Sequence, residues 1–281
     1  MFYQLGLIGY PVEHSLSPWI HQSFLKNAHL QGRYDLIEVH PEKSLGDILI
    51  ELKEQHYTGF NVTVPYKQKI MPYLDKIDTS AEHIGAVNTV IYRDGNWIGY
   101  NTDGFGFVRA LEYRYPEVIE KTNIQVLLIG AGGAARGIYA ALQMKDVERI
   151  DIANRTRTNA LKIAKQDQTK VKTDIYSLEE SEKRLNQYDI IIQTTDVGMK
   201  PKQHKSIISL QNLEQPNIIC DIVYQPISTN FLKNAKQRGA KILQGHLMLL
   251  FQAQRAFEIW TNQAVSIGKM DEQLKQLLEG R

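Results

Sequence analysis

A lysine and two hydrogen-bonding side chains stand close together in NVTVPYK, residues 61–67. Side chains alternate faces along a strand, so Phe60, Val62 and Val64 share one face while Asn61 and Thr63 share the other. Pro65 ends the strand. Lys67 then projects near the carboxyl end, which is where open α/β sheets bind ligands. The polar face reads as a wall of a site for a small polar molecule. The ordinary alternatives are an edge strand with one solvated face and a surface lysine.

A second group of residues suits phosphate. NIQVLLIGAGGAARG, residues 123–137, runs as an apolar strand, a glycine turn and a helix. Gly130, Gly132 and Ala135 fit G-x-G-x-x-[GA]: the first glycine for the tight turn, the second for close approach of a pyrophosphate, the small third residue for helix packing. Ala131, Gly133 and Ala134 complete the turn, and the helix start offers unpaired N–H groups and partial positive charge. About twenty residues on, an NAD site places an acidic residue on the ribose. Here the strand ends at Asn154 and continues Arg155, Thr156, Arg157. Asp151 lies inside the strand, and the two arginines suit a 2′-phosphate, so NADP is expected over NAD.

The elements that must position these groups alternate between strand and helix, so the fold class is α/β with parallel sheets. The pattern predicts strands at 3–9, 33–40 and 59–65, helices at 17–30 and 42–54, and a helical stretch at 66–74. NTVIYRDGNWIGYN, residues 88–101, reads as a hairpin turning at Asp94 and Gly95, a type I′ sequence. Ser17 before Pro18 reads as an N-cap and first helical residue. A helix from Asp103 to about 115 follows, and Asp103 itself suits a cap. The alternation restarts at 124 and ends in helical segments from His246, whose Leu247, Leu250, Phe251, Phe257 and Trp260 form an apolar face. Two domains with a seam near Asp103 to Phe105 are the simplest division.

Composition narrows the partners. The 281 residues carry a net charge of +2 and 43% hydrophobic content, which marks neither a disordered chain nor a nucleic-acid binder. A single cysteine excludes an intramolecular disulfide, and the eight histidines show no zinc pattern, so no metal is expected. The N-terminus has no basic leader and no stretch reaches the roughly 20 apolar residues of a membrane span. A cytoplasmic protein, monomer or homodimer, working on a small molecule is expected.

GYPVEHSLSP, GFNVTVPYK, IGAVNTV, GYNTDGFG, GAGGAARG, NRT, DIVYQPISTNFL and QGHLMLLFQAQRAFEIW occur in an order and spacing that resemble the shikimate dehydrogenase family over nearly the whole chain. The resemblance implies an N-terminal substrate domain, 1–104, completed by C-terminal helices 246–281, a Rossmann-type NADP domain, 105–245, an active-site cleft between them, and NADPH-dependent reduction of 3-dehydroshikimate to shikimate. It places Ser15, Ser17, Asn61, Thr63, Asn88 and Gln252 on the hydroxyls and carboxylate of shikimate. Tyr224 approaches from the nucleotide side. Gly245 and the GAGGAA and NRTR residues lie at the cofactor, with Lys67 and Asp103 as the catalytic pair.

The sequence departs from the family pattern in two places. Asn159 stands where a lysine or arginine is common beyond NRT, and QTTDVGM carries Gln193 and Asp196 in place of Asn and Ser. Rival readings are a quinate/shikimate dehydrogenase with relaxed cofactor use, and a non-catalytic NADP-binding regulator on the same fold. A sensing module has no need of a proton donor such as Lys67.

Overall fold

The computed structural model describes residues 1–119, 121–165, 171–214 and 217–280. The chain divides into two compact units, Met1–Thr102 with Gln252–Ile267, and Asp103–Phe251 with Gly268–Arg281.

The first unit contains β1 (Phe2–Gly9), α1 (Ser17–Asn27), β2 (Gln31–Glu38), α2 (Leu45–Glu54), β3 (Gly59–Val62), β4 (Lys76–Ile77), α3 (Thr79–Glu82), β5 (Thr89–Arg93) and β6 (Asn96–Tyr100). Among the described residues six strands form a sheet in the order β2-β1-β3-β5-β6-β4. β1 runs parallel to β2 and β3, whereas β5 is antiparallel to both β3 and β6. The sheet is therefore mixed, because the expected Asp-Gly hairpin enters it whole. Asp94 and Gly95 have φ of 52° and 83°, the two positive values that a type I′ turn needs. Phe60, Val62, Ile8, Leu49, Val90 and Trp97 belong to its core.

Four local readings are corrected. β3 is an interior strand with all four residues buried, so Asn61 is not on a solvated edge. The strand stops at Val62, and Val64 is 70% exposed instead of buried beside Phe60. Its backbone has already turned, with the Tyr66 N–H donating to the Thr63 carbonyl at 2.9 Å. The stretch 66–74 holds turns and one 3₁₀ turn at Met71–Tyr73, since Pro72 has no N–H to continue a helix. In α1 the N-cap is Leu16, and Ser17 is already helical. The Ser17 N–H is satisfied by Ser15 Oγ at 3.2 Å, so the capping serine is the earlier one.

The second unit contains α4 (Asp103–Arg114), α5 (Pro116–Ile119), β7 (Ile124–Ile129), α6 (Gly133–Gln143), β8 (Val147–Ala153), α7 (Arg157–Ala164), β9 (Ile175–Tyr176) and α8 (Leu178–Glu182). β10 (Ile190–Gln193), β11 (Ile218–Asp221), α9 (Asn230–Gln237), β12 (Lys241–Gln244), α10 (Gly245–Thr261) and α11 (Met270–Glu279) follow, α10 running on into the first unit. Its sheet, among the described residues, is parallel throughout in the order β12-β11-β10-β7-β8-β9. That is the doubly wound order, and its winding reverses between β7 and β10. Continuous apolar strands such as IQVLLI are what burial on both faces demands.

The C-terminal stretch 246–281, expected to complete the first unit, is divided between the two, and residue 281 lies outside the described residues. Trp260 Nε1 donates to the Val90 carbonyl at 2.8 Å and ties residues 252–267 to the first unit. His246 Nε2 meets Asp271 Oδ1 at 2.8 Å and fixes α11 to the start of α10 in the second. The Asp271 carboxyl is held below its usual range, chiefly by that hydrogen bond.

Candidate functional site

In the first unit, β3, β5 and the strand end at Thr102 bring polar side chains together in the interior. Asn61 Oδ1 accepts the Tyr34 hydroxyl at 2.7 Å, while its Nδ2 donates to the Asn88 carbonyl and to Thr89 Oγ1, both at 3.1 Å. Asn88 Oδ1 accepts from the Thr102 N–H at 2.9 Å and from Thr89 Oγ1 at 3.0 Å. Thr102 Oγ1 reaches Gln252 Oε1 at 3.4 Å. Each amide orientation is dictated by a partner of fixed polarity: a carbonyl only accepts and a backbone N–H only donates. Asn61, Asn88, Thr89 and Thr102 are all buried, where unpaired polar groups are costly, so the network is rigid as well as satisfied.

Ser17 joins this network through Tyr34, whose hydroxyl burial pushes well above its ordinary range while the Ser17 hydrogen bond opposes the shift. Thr63 lies at the strand end, where its N–H donates to the Ile8 carbonyl at 2.9 Å. Its methyl packs on Gly9, 2.4 Å from where a Cβ there would sit. Lys67 is half-buried, and its carbonyl accepts the Val87 N–H at 2.8 Å. The structure thus gathers Ser15, Ser17, Asn61, Asn88 and Gln252 about one network and sets Thr63 and Lys67 on the turn after β3. Tyr34, Thr89 and Thr102 were missed by sequence reasoning. The signal for the last two was present, because NT recurs at 88–89 and 101–102, the two ends of the hairpin.

In the second unit, Gly130 has a φ of +112°, and a Cβ there would lie 2.5 Å from Thr194 Oγ1. Gly132 is the N-cap of α6, and a Cβ on Gly132 or Gly133 would meet no atom within 4 Å. The α6 N-terminus is therefore uncovered by protein at these residues. Ala135 is wholly buried, allowing α6 to pack closely. Arg136, in the first turn of α6, has a buried Nε with no hydrogen-bond partner among the described residues. An open helix start with an unsatisfied guanidinium nitrogen beside it fits a phosphate-bearing ligand.

Asp151 is buried and spoken for: its carboxylate accepts the Asp174 N–H and the Tyr188 hydroxyl, each at 2.8 Å. It has no place on a ribose. Asn154 Nδ2 donates to the Thr156 carbonyl at 2.8 Å, which shapes the turn carrying the exposed Arg155 and Arg157. Arg157 Nη1 donates to the Ile175 carbonyl at 3.1 Å, so part of its guanidinium serves the fold. Asp103 is the buried first residue of α4, and half-buried Tyr224 follows β11. A Cβ on Gly245 would lie 2.4 Å from the Ile222 carbonyl oxygen, so that glycine packs directly on the same loop. Among the described residues no group of His, Cys, Asp and Glu is arranged to hold a metal, and no helix is long and apolar enough to cross a membrane.

A doubly wound sheet with an open glycine turn in one unit, and a network of buried amides in the other, are the features of a dinucleotide-dependent oxidoreductase. Residues 7–90 match the shikimate dehydrogenase substrate binding domain, 117–229 the shikimate/quinate 5-dehydrogenase model, and 245–275 the shikimate 5′-dehydrogenase C-terminal domain. The chain belongs to the shikimate dehydrogenase family. It is 52% identical over 281 residues, all of both chains, to the NADP(+) shikimate dehydrogenase of Oceanobacillus iheyensis. A shikimate dehydrogenase solved in complex with NADP⁺ aligns with a TM-score of 0.89 at 38% identity, covering 99% of this chain and 96% of that one. The Listeria monocytogenes enzyme, solved with shikimate and NAD, aligns at 0.88 and 33% identity, covering 99% and 96%.

Proposed function

We propose that this chain is an NADP-dependent shikimate dehydrogenase that reversibly reduces 3-dehydroshikimate to shikimate, a step of aromatic amino-acid biosynthesis. The observation that carries the reading is the buried network of Asn61, Asn88, Thr89, Thr102 and Gln252, in a chain that matches this family from end to end. Such a network holds hydrogen-bonding groups at fixed angles, as recognition of a polyhydroxylated acid requires. The first unit takes the substrate through Ser15, Ser17, Asn61, Thr63, Asn88 and Gln252, and Tyr224 is assigned to the substrate as well.

The second unit holds the nucleotide. Gly130, Ala131, Gly132, Gly133, Ala134 and Ala135 present the α6 N-terminus to the pyrophosphate; Asn154, Arg155, Thr156 and Arg157 take the 2′-phosphate, and Gly245 adjoins the cofactor. When bound, NADPH supplies the hydride. Lys67 delivers a proton from Nζ to the substrate carbonyl oxygen and stabilises the negative charge that builds there. Asp103 is the second proton-handling group, and in the reverse direction Lys67 recovers the proton. The enzyme acts in the cytoplasm on small molecules, as a monomer or homodimer.

Formation of reduced nicotinamide, followed by absorbance with shikimate or quinate and NADP⁺ or NAD⁺, tests this reading. Turnover should be confined to shikimate with NADP⁺, and Lys67→Ala should lower it about 10²–10⁴-fold while shikimate binding survives. Comparable rates with quinate or NAD⁺ would replace the assignment by the broader dehydrogenase; no turnover from folded, cofactor-binding protein would leave a regulator.

A further inference from the structure

Gln193 and Asp221 end the adjacent strands β10 and β11 and stand directly opposite one another in register. Both are buried at the carboxyl edge of the nucleotide sheet, beside the strand pair where the winding reverses. Gln193 Nε2 donates to Asp221 Oδ1 and to the Val197 carbonyl, each at 3.0 Å, and its Oε1 accepts the Thr195 N–H. Asp221 Oδ1 also accepts the Val223 N–H at 2.9 Å, and Oδ2 accepts Thr229 Oγ1 at 2.7 Å. Thr229 in turn caps α9 by accepting the Leu232 N–H.

These bonds gather two loops onto one carboxylate. The loop after β10 is held through Thr195 and Val197, and the loop after β11, which carries Tyr224, through Val223 and Thr229. The first loop is also pressed against the glycine turn. Thr194 Oγ1 donates to the Ile129 carbonyl at 2.8 Å, and together with Thr195 it fills the space beside Gly130. Gly198, at φ +100°, lies against the Thr229 side chain, with only 3.2 Å left for a Cβ. Burial pushes the Asp221 carboxyl up to about 7, against the pull of Thr229 and Val223, so it is a costly group for a structural role alone.

We propose that Gln193 and Asp221 are positioning residues that clasp the loops after β10 and β11 at the nucleotide edge and thereby set affinity for the cofactor, leaving the hydride transfer unchanged. Gln193 has the length to bond Asp221 and Val197 at once, which an asparagine, one methylene shorter, does not. The proposal rests on the reading of the second unit as the NADP-binding unit.

The test is titration of NADP⁺ against the full chain, with steady-state kinetics in both substrates. Gln193→Ala and Asp221→Asn should raise Kd and KM for NADP⁺ roughly tenfold. The kcat at saturating cofactor and shikimate should stay within about twofold. Gln193→Asn should recover only part of the loss, and Ile190→Val, a core change at the opposite end of β10, should leave NADP⁺ binding as it was. If Asp221→Asn does not fold, Thr229→Val removes the donor to Asp221 together with the α9 cap and carries the same expectation. Wild-type binding with unchanged Kd in the folded variants overturns the clasp, as does an equal loss in kcat. Failure of the wild type to bind NADP⁺ overturns the nucleotide reading and the clasp with it.

Discussion

Gly104 and Gly137 touch backbone to backbone: a Cβ on Gly104 would lie 2.1 Å from the Gly137 carbonyl oxygen. α4, which begins with Asp103, is thereby pinned to α6, which begins at the glycine turn. Gly104→Ala forces the helices apart and should cost roughly 1–3 kcal/mol, read from urea denaturation. Because Asp103 is the next residue, turnover should fall as well. An unchanged denaturation midpoint would show that α4 yields freely and that the close approach positions nothing.

The Tyr34 hydroxyl donates to Asn61 Oδ1 at 2.7 Å. Tyr34→Phe keeps the ring and its stacking on His21, whose centroid is 4.5 Å away, but leaves that oxygen short of a buried partner. A stability loss of about 1–3 kcal/mol is expected, with KM for shikimate raised severalfold and kcat preserved. Equal losses with both substrates would mean that Tyr34 supports the unit at large.

His21 is fully buried among Phe24, Tyr34 and Trp260, and neither ring nitrogen has a hydrogen-bond partner among the described residues. Burial pushes it down to about 3 from an ordinary 6.5, with Asn61 pulling the other way. The unfolded chain therefore takes up a proton across that window and the folded chain does not. Stability should be unaffected by this group above the upper value and should fall below it, by up to about 1.4 kcal/mol per pH unit. Urea denaturation at about pH 7.5 and about pH 5 should show a smaller drop in His21→Leu than in the wild type. Parallel drops would assign the acid sensitivity elsewhere.

Where sequence and structure agree, a short-range rule was sufficient. Asp94-Gly95 defined its hairpin without help, and Gly130, Gly132 and Ala135 announced a strand, turn and helix through local backbone requirements alone. Asn61 was legible as a polar residue on an apolar strand, but its burial was not, since that depends on β1 and β5 arriving on either side. Ser17 shows the same limit on a smaller scale, because the competing acceptor, Ser15, lies two residues upstream and either serine satisfies the capping pattern. Gln193 and Asp221 are 28 positions apart, and only the parallel register of β10 and β11 makes them neighbours. The division of residues 246–281 was hidden for a related reason: an apolar helical period does not say which of two cores it faces.

Among the described residues three hydrogen bonds tie residues 252–267 to the rest of the first unit, Thr102 to Gln252, Arg93 to Ile259 and Trp260 to Val90, across 150, 166 and 170 positions. On a ribosome adding about 5–20 residues each second, Val90 waits roughly 10–30 s before Trp260 exists. During that interval the second unit's whole sheet can be synthesised and formed. The half of the molecule begun first thus stays incomplete, with His21 and Tyr34 uncovered by their indole, until Trp260 has been made.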